Sequence, residues 1–408
     1  MPTANEQIYD LSIRHLARLQ RLTATEVRAV LKIMSQADVE LTSMLDRSLR
    51  NIGPRPDFRS ERWREIRRAI RSIRTGMIMD LESSVTQTLR ELVPVELDFE
   101  SRSFRKVLPQ GFVVNVPSLD RTIASVLSKP FSGGANSART LNQWFEGLAG
   151  ADQSRIIQAT QLGMIQGETV DEMVRRIRGT RKNGFKDGVL SLSRRNAEAI
   201  VRTSAIHVSN DTRQEFWNDN EDIIRGLYWD SVLDGRTSSI CQSRDRKFAP
   251  NPGHTVPDGM QLLEPQTARP PAHPNCRSAM IPLLDGQKIS DIQADRPFVR
   301  TSRRTPDREK SFREQAKQEA GKDWKRLSEK QRRSRIKAIS RRWADQNIGK
   351  VPARVSYEDW LRRQPKSFQT EVLGVGRSQL FRKGMSLDKF VNKQGQRLTL
   401  KQLAALEG

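Results

Sequence analysis

The chain has 408 residues, 71 Lys and Arg against 48 Asp and Glu, a net charge of +23, and only 36% hydrophobic and 6% aromatic residues. No uncharged apolar run approaches the roughly 18 residues of a membrane span, and Met1–Glu6 lacks the basic and apolar regions of a signal peptide. Two cysteines, Cys241 and Cys276, exclude a disulfide framework and fit a reducing cytoplasm, while the charge predicts a polyanionic partner and says nothing about fold.

In chain order the elements are mostly helical. Thr23 with Glu26 has the spacing of a capping box, in which two side chains satisfy each other's backbone N–H. Val27, Val30, Leu31, Met34, Leu41, Met44, Leu45 and Leu49 continue as a helical stripe, and Asn51-Ile52-Gly53-Pro54 is a turn signal. A second helix is predicted from about Ser60 to Leu92. Trp63, Ile66, Ile70, Ile73, Met77, Leu81, Val85, Leu89 and Leu92 form its apolar stripe, and Pro94 is expected to stop it. Its opposite face carries Arg59, Arg62, Arg64, Arg67, Arg68, Arg71 and Arg74. That face is either solvated and eased by Glu61 and Glu65, or an anion-contacting surface.

Residues 95–140 read as irregular, with a short alternating run at Phe112–Val116. Helix returns from Leu141 to about Gly179, with a capping box at Thr169 and Glu172, and again from Arg194 to about Trp217. Leu227–Trp229 and Ser278–Leu283 look like strands flanking a proline-rich loop. Residues 296–350 hold 19 Lys and Arg against 7 Asp and Glu, net +12. Helices are predicted there at roughly 308–320 and 329–345, the second capped by Ser328 and Gln331. Ser356 with Asp359 opens a last short helix carrying Trp360 and Leu361.

The expected fold is mainly α with a small α+β module, with elongated multi-helix N- and C-terminal parts. It divides into a helical region (1–94), an irregular connector (95–140), an α+β module (141–290), a basic helical segment (296–350) and a helical or extended end (351–408). Two arginine sets are candidates for phosphate contact: Arg62, Arg64, Arg67, Arg68 and Arg71, and Arg332, Arg333, Arg335, Arg341 and Arg342.

Two of the four histidines fall between the cysteines, as Cys241-x12-His254-x18-His273-x2-Cys276. Thiolate and imidazole suit tetrahedral zinc, so Cys241, His254, His273 and Cys276 are candidate ligands, with Asp234 or Asp245 as replacements for His254. Without a metal, the cysteines are small buried hydrophobes. A Cys241–His273 nucleophile pair, or a metal-dependent nuclease using His273 and Asn275, would need activating groups that the sequence does not supply. Gly133-Gly134 has no following Lys-Ser/Thr, so no phosphate loop is present.

Trp229-Asp230-Ser231-Val232-Leu233-Asp234-Gly235-Arg236-Thr237-Ser238-Ser239-Ile240-Cys241, followed by Pro270-Pro271-Ala272-His273-Pro274-Asn275-Cys276-Arg277-Ser278, resembles the signature of tailed-phage head-morphogenesis proteins of the phage Mu protein F type. The helix from Glu198 through Arg213, and the end Tyr357–Gly374, resemble segments of the same family. Relatives often carry a further cysteine where this chain has Ser243, Arg244 or Ser278, so a four-cysteine metal site is ruled out here. Without metal, Asp234, Arg236 and Arg277 are expected to hold the two strands as a charge cluster. The resemblance implies a non-enzymatic minor capsid protein, made in the host cytoplasm and incorporated into the virion. Its implied partners are portal, scaffold or major capsid protein, other copies of itself, and packaged double-stranded DNA, with no membrane. A free zinc-type nucleic-acid-binding protein or a metal-dependent nuclease is the rival.

Overall fold

The computed structural model describes residues 2–50, 57–132, 138–265, 267–286, 294–300, 308–392 and 395–405. The turn expected at Asn51–Pro54 and the Gly133-Gly134 pair lie outside the described residues. The chain forms two units, one of residues 14–221 with 269–276 and one of residues 1–13, 222–268 and 277–408.

The first unit is helical. It contains most of α1 (Ala4–Leu49), then α2 (Glu61–Val107), α3 (Leu119–Ser128), a small hairpin of β1 (Phe131–Ser132) and β2 (Ala138–Arg139), α4 (Leu141–Ile165), α5 (Val170–Arg178) and α6 (Leu190–Asn218). The predicted stripes meet as designed: Leu41, Leu45 and Leu49 of α1 and Trp63, Ile66 and Ile70 of α2 share one core with Ile156, Met173, Ile177 and Leu190. Each such side chain contributes about 1.5–3 kcal/mol on burial. The Thr169–Glu172 capping box forms, and Gly179 ends α5 at φ 91°, where a Cβ would strike Asp187 and the Gly188 backbone at 2.8 Å.

Four expectations are corrected here. Thr23 does not cap a helix, because α1 runs unbroken from Ala4. Its hydroxyl bonds back to the Leu19 carbonyl, while Glu26 reaches across to Ser84 and Thr88 of α2. Pro94 does not stop α2, which continues to Val107. An interior proline costs about 3 kcal/mol, but the residues after it are anchored. Glu96 takes His15 Nε2 at 2.8 Å, Glu100 takes Arg213 Nε at 2.5 Å and Trp217 Nε1 at 3.0 Å, and Phe104 packs edge-on against Phe216. The stretch 95–140 is therefore only partly irregular, since it holds the end of α2 and all of α3. Its run Phe112–Val116 is extended and pairs with no strand among the described residues. Finally, Arg74 is not on the solvent face: it is fully buried, with Asp38 at 2.7 Å and Asp152 at 2.5 Å.

The second unit is mixed. Its sheet has the order β6-β5-β3-β7, built from β3 (Ile224–Asp230), β5 (Lys247–Pro250), β6 (Gln261–Leu262) and β7 (Ala279–Leu284). The strands β3 and β7 are the two predicted from sequence. They pair antiparallel, with Leu227 opposite Pro282 and Trp229 opposite Met280, and every residue of β7 is buried. Burial on both faces explains why these strands are runs of apolar residues rather than alternations. Gly226 is forced by close approach, since a Cβ there would lie 2.4 Å from the Ala249 carbonyl oxygen.

Between β3 and β5 come β4 (Leu233–Asp234) and α7 (Ser239–Arg244). A second sheet joins β4 to β8 (Asp295–Val299) in parallel and β8 to β9 (Ile348–Pro352) in antiparallel register. Two helices, α8 (Arg308–Ala320) and α9 (Glu329–Asn347), are inserted between β8 and β9. They have their own small core of Phe312, Ala316, Trp324 and Ile339. The Ser328–Gln331 capping box forms at α9. The chain ends in α10 (Tyr357–Arg362), α11 (Lys366–Leu373), α12 (Val375–Arg382) and α13 (Leu400–Ala404). Leu233 and Phe298 join Tyr357, Trp360, Leu361, Phe368 and Leu373 in one cluster. The architecture is mainly α with small sheets, as expected.

Candidate functional site

The signature Asp-Gly-Arg-Thr is a turn organised by one carboxylate. Asp234 is buried at the end of β4. Its Oδ1 accepts the Arg236 N–H at 3.0 Å and the Thr237 hydroxyl at 3.2 Å. The same carboxylate takes a bidentate pair from Arg277, at 2.7 and 2.8 Å, just before β7. Burial raises the Asp234 pKa, but the Arg277 hydrogen bonds and the charges of Arg277 and Arg236 outweigh it and hold the carboxyl below its ordinary range. The expected charge cluster is thus present. Its centre is Asp234–Arg277, while Arg236 is half exposed with Nε at 3.6 Å.

Around this turn the motif's other residues hold backbone. Trp229 is fully buried, donates Nε1–H to the Ser231 hydroxyl at 3.0 Å, and lies 5.3 Å beneath the Arg244 guanidinium. Ser231 in turn donates to the Cys241 carbonyl at 2.8 Å. Tyr357, from the C-terminal segment, donates its hydroxyl to the Asp234 carbonyl at 2.8 Å.

A second centre escaped sequence reasoning. Asp245 accepts two N–H groups of Arg296, at 2.9 and 3.0 Å, and the backbone N–H groups of Ser231 and Tyr357, each at 2.7 Å. Arg296 also donates to the carbonyls of Ser231 and Val355. Beside them, Arg246 pairs with Asp230 at 3.0 Å and donates to Tyr9 at 3.0 Å. Burial pushes the Tyr9, Tyr228 and Tyr357 hydroxyls above the ordinary phenol range, so they stay neutral. Arg296 heads the basic segment by composition but is 1% exposed, and it is corrected from polyanion contact to core. No local pattern betrays this cluster, because its partners lie 51 and 112 residues apart in sequence.

The predicted metal ligands divide between the units. Cys241 is buried on α7 in the mixed unit. His254 is in the same unit, with Nδ1 facing Asp285 at 4.0 Å, and among the described residues it joins no cluster of metal-ligating groups. Asp234 and Asp245, the suggested replacements, are committed to arginines. His254 and the two aspartates are thus engaged elsewhere in the mixed unit. In the helical unit, His273 and Cys276 bring their ligand atoms within 4.8 Å of each other across a tight turn closed by Cys276 N–H to the His273 carbonyl. Asn275 supplies the left-handed residue of that turn, at φ 60°, a conformation asparagine tolerates well. Its N–H bonds to Thr203 of α6 at 3.0 Å. His273 Nδ1 lies 2.8 Å from the Pro274 carbonyl, a contact that selects the tautomer with an unprotonated Nε2. This donor pair fits zinc chemistry.

The arginine sets occupy α2 in the helical unit and α9 in the mixed unit. On α2, Arg62, Arg64, Arg68 and Arg71 are exposed and Arg67 is half-buried. Glu61 takes Arg64 at 2.9 Å and Arg68 at 2.5 Å. On α9, Arg335 and Arg341 are exposed and carry no ion pair among the described residues. Arg333 pairs with Glu329 and Arg342 with Glu319. Arg332 differs: it donates to the Trp324 and Lys325 carbonyls and stacks 5.5 Å over the Trp324 ring. Its task is to close the α8–α9 insert.

The mixed unit thus holds a carboxylate-organised turn tied by Arg277, and the helical unit a histidine–cysteine turn seated on α6. Residues 154–281 match the family model described as Phage Mu protein F like protein. Over this region, from α4 to β7, the chain is similar to the family that its motifs resemble, which suggests a phage head-morphogenesis protein. No curated protein and no solved structure matches the chain. Among the described residues no helix is long and apolar enough to cross a membrane.

Proposed function

We propose that this protein is a minor, non-enzymatic component of a tailed-phage head. In this reading it docks on portal, scaffold or major capsid protein during assembly and contacts packaged double-stranded DNA without sequence preference. The observation that carries the reading is the family match over the segment holding the Asp234–Arg277 turn and the His273–Cys276 turn. The exposed arginines of α2 and α9 support the DNA contact, since phosphate recognition by Lys and Arg needs no base sequence. Quantitative mass spectrometry of purified heads and procapsids is expected to find the chain at low copy relative to the major capsid protein. Its absence from both particles would overturn the reading.

The zinc proposal is carried by the His273–Cys276 pair. Zinc would take two of its four ligands from this pair and supply a structural tie, with no catalytic part. Elemental analysis is expected to give about one zinc per chain, lost in Cys276→Ser. Zinc well below one per chain in the wild type removes the proposal.

A further inference from the structure

The helical unit contains an open groove of about 310 Å³ that no part of the head-protein reading uses. Its wall is apolar: Leu148 from α4, Ile200 from α6, and a Phe131–Trp144 stack with ring centres 6.0 Å apart. Pro274 of the signature turn closes one side. Two polar features break this lining. Trp144 Nε1 is buried and has no hydrogen-bond partner among the described residues. Arg139 is exposed at the rim, its guanidinium 5.5 Å from the Trp144 ring centre, with no ion pair among the described residues. Gly147 leaves room for that guanidinium, since a Cβ there would come within 3.2 Å of Arg139 Nη1.

A buried donor without an acceptor costs free energy until a ligand supplies one. A lone cation beside an apolar cleft selects an apolar body with an adjacent negative charge. We propose that this groove docks a linear acidic segment of a partner protein. An aromatic or large aliphatic side chain fills the cleft, a backbone carbonyl accepts from Trp144 Nε1, and a neighbouring Asp or Glu pairs with Arg139. The volume suits one large side chain with its backbone. The aliphatic wall and single cation favour a peptide over a nucleic acid strand, which would need a track of cations along its backbone.

Fluorescence anisotropy at physiological salt tests this with full-length protein and a labelled peptide Gly-Ser-Glu-Phe-Leu-Glu-Ser-Gly. The controls are the same peptide with Lys for Glu, the same peptide with Ala-Ala for Phe-Leu, and a deoxythymidine decamer. The acidic apolar peptide is expected to bind roughly tenfold or more tighter than either peptide control, from burial of its apolar side chains. Ala151→Trp, an exposed position lining the groove, is expected to abolish that preference with the circular dichroism spectrum unchanged. Arg139→Gln is expected to weaken binding about threefold to fivefold, as for an exposed ion pair. Absence of binding, or equal binding of the Ala-Ala peptide, overturns the proposal. So does an Ala151→Trp variant that binds like wild type, or displacement of the peptide by the decamer in a manner lost in Ala151→Trp.

Discussion

Arg74→Met is expected to destabilise the helical unit by about 3–5 kcal/mol, because it leaves the buried Asp152 without its cation and Asp38 with Arg194 alone. Arg74 and Asp152 are fully buried, and Asp38 nearly so. Arg194 covers the other side of Asp38 at 2.6 Å, and Ser193 bonds Asp152. Removing Arg74 therefore disturbs α1, α2, α4 and α6 together. For a unit of this size the loss corresponds to a fall of roughly 6–20 °C in melting temperature. Arg71→Met, one turn away and exposed, is the control, with an expected change within about 0.5 kcal/mol. Thermal and urea unfolding of the two variants measure the difference. Equal effects would show that the Arg74 network contributes nothing specific.

The second large effect concerns DNA. Affinity for random duplex is expected to fall steeply with salt, because each neutralised phosphate releases counterions. Replacing all five arginines of α9 with Gln would confuse two effects, since Arg332 closes the insert onto Trp324. The cleaner variant replaces Arg333, Arg335, Lys337 and Arg341, all exposed. If all four meet phosphate, the slope of log affinity against log salt shrinks by about 3.6, at about 0.9 per contact. Filter binding across a salt series reads this directly. An unchanged slope assigns that face of α9 to protein or solvent.

The two predictions mark where sequence was transparent and where it was opaque. The stripes of α1 and α2, the caps at Thr169, Ser328 and Ser356, and the pairing strands β3 and β7 were all legible. Each is a local pattern, set by a helical or extended repeat or by a cap three residues from its partner. Arg74, Glu96, Glu100, Asp152, Arg213, Asp245 and Arg296 were illegible for the opposite reason. A charged residue is normally a surface residue, and nothing near it in sequence announces a counter-charge that folding brings from 36 to 113 positions away. The Pro94 error has the same root: α2 persists through it because buried glutamates downstream find distant partners. Thr23 erred in another way, since the capping-box spacing also occurs inside an unbroken helix. At the candidate site, the Asp234–Arg277 pair was anticipated, whereas Asp245, weighed only as a metal ligand, proved to be the hub of the mixed unit.

The α8–α9 insert leaves the body through neighbouring strands. Val299 of β8 sits opposite Ile348 of β9, and Arg300 N–H bonds the Asn347 carbonyl at 2.7 Å. Both ends of the insert are thus pinned side by side by a stem that belongs to the sheet. Closing the loop has already been accomplished by that stem, and the entropic cost of a longer or shorter excursion changes only logarithmically with its length. The insert is for this reason an exchangeable cassette. It can be recharged, extended or trimmed while the Asp234 turn and the strands β4, β8 and β9 keep their register.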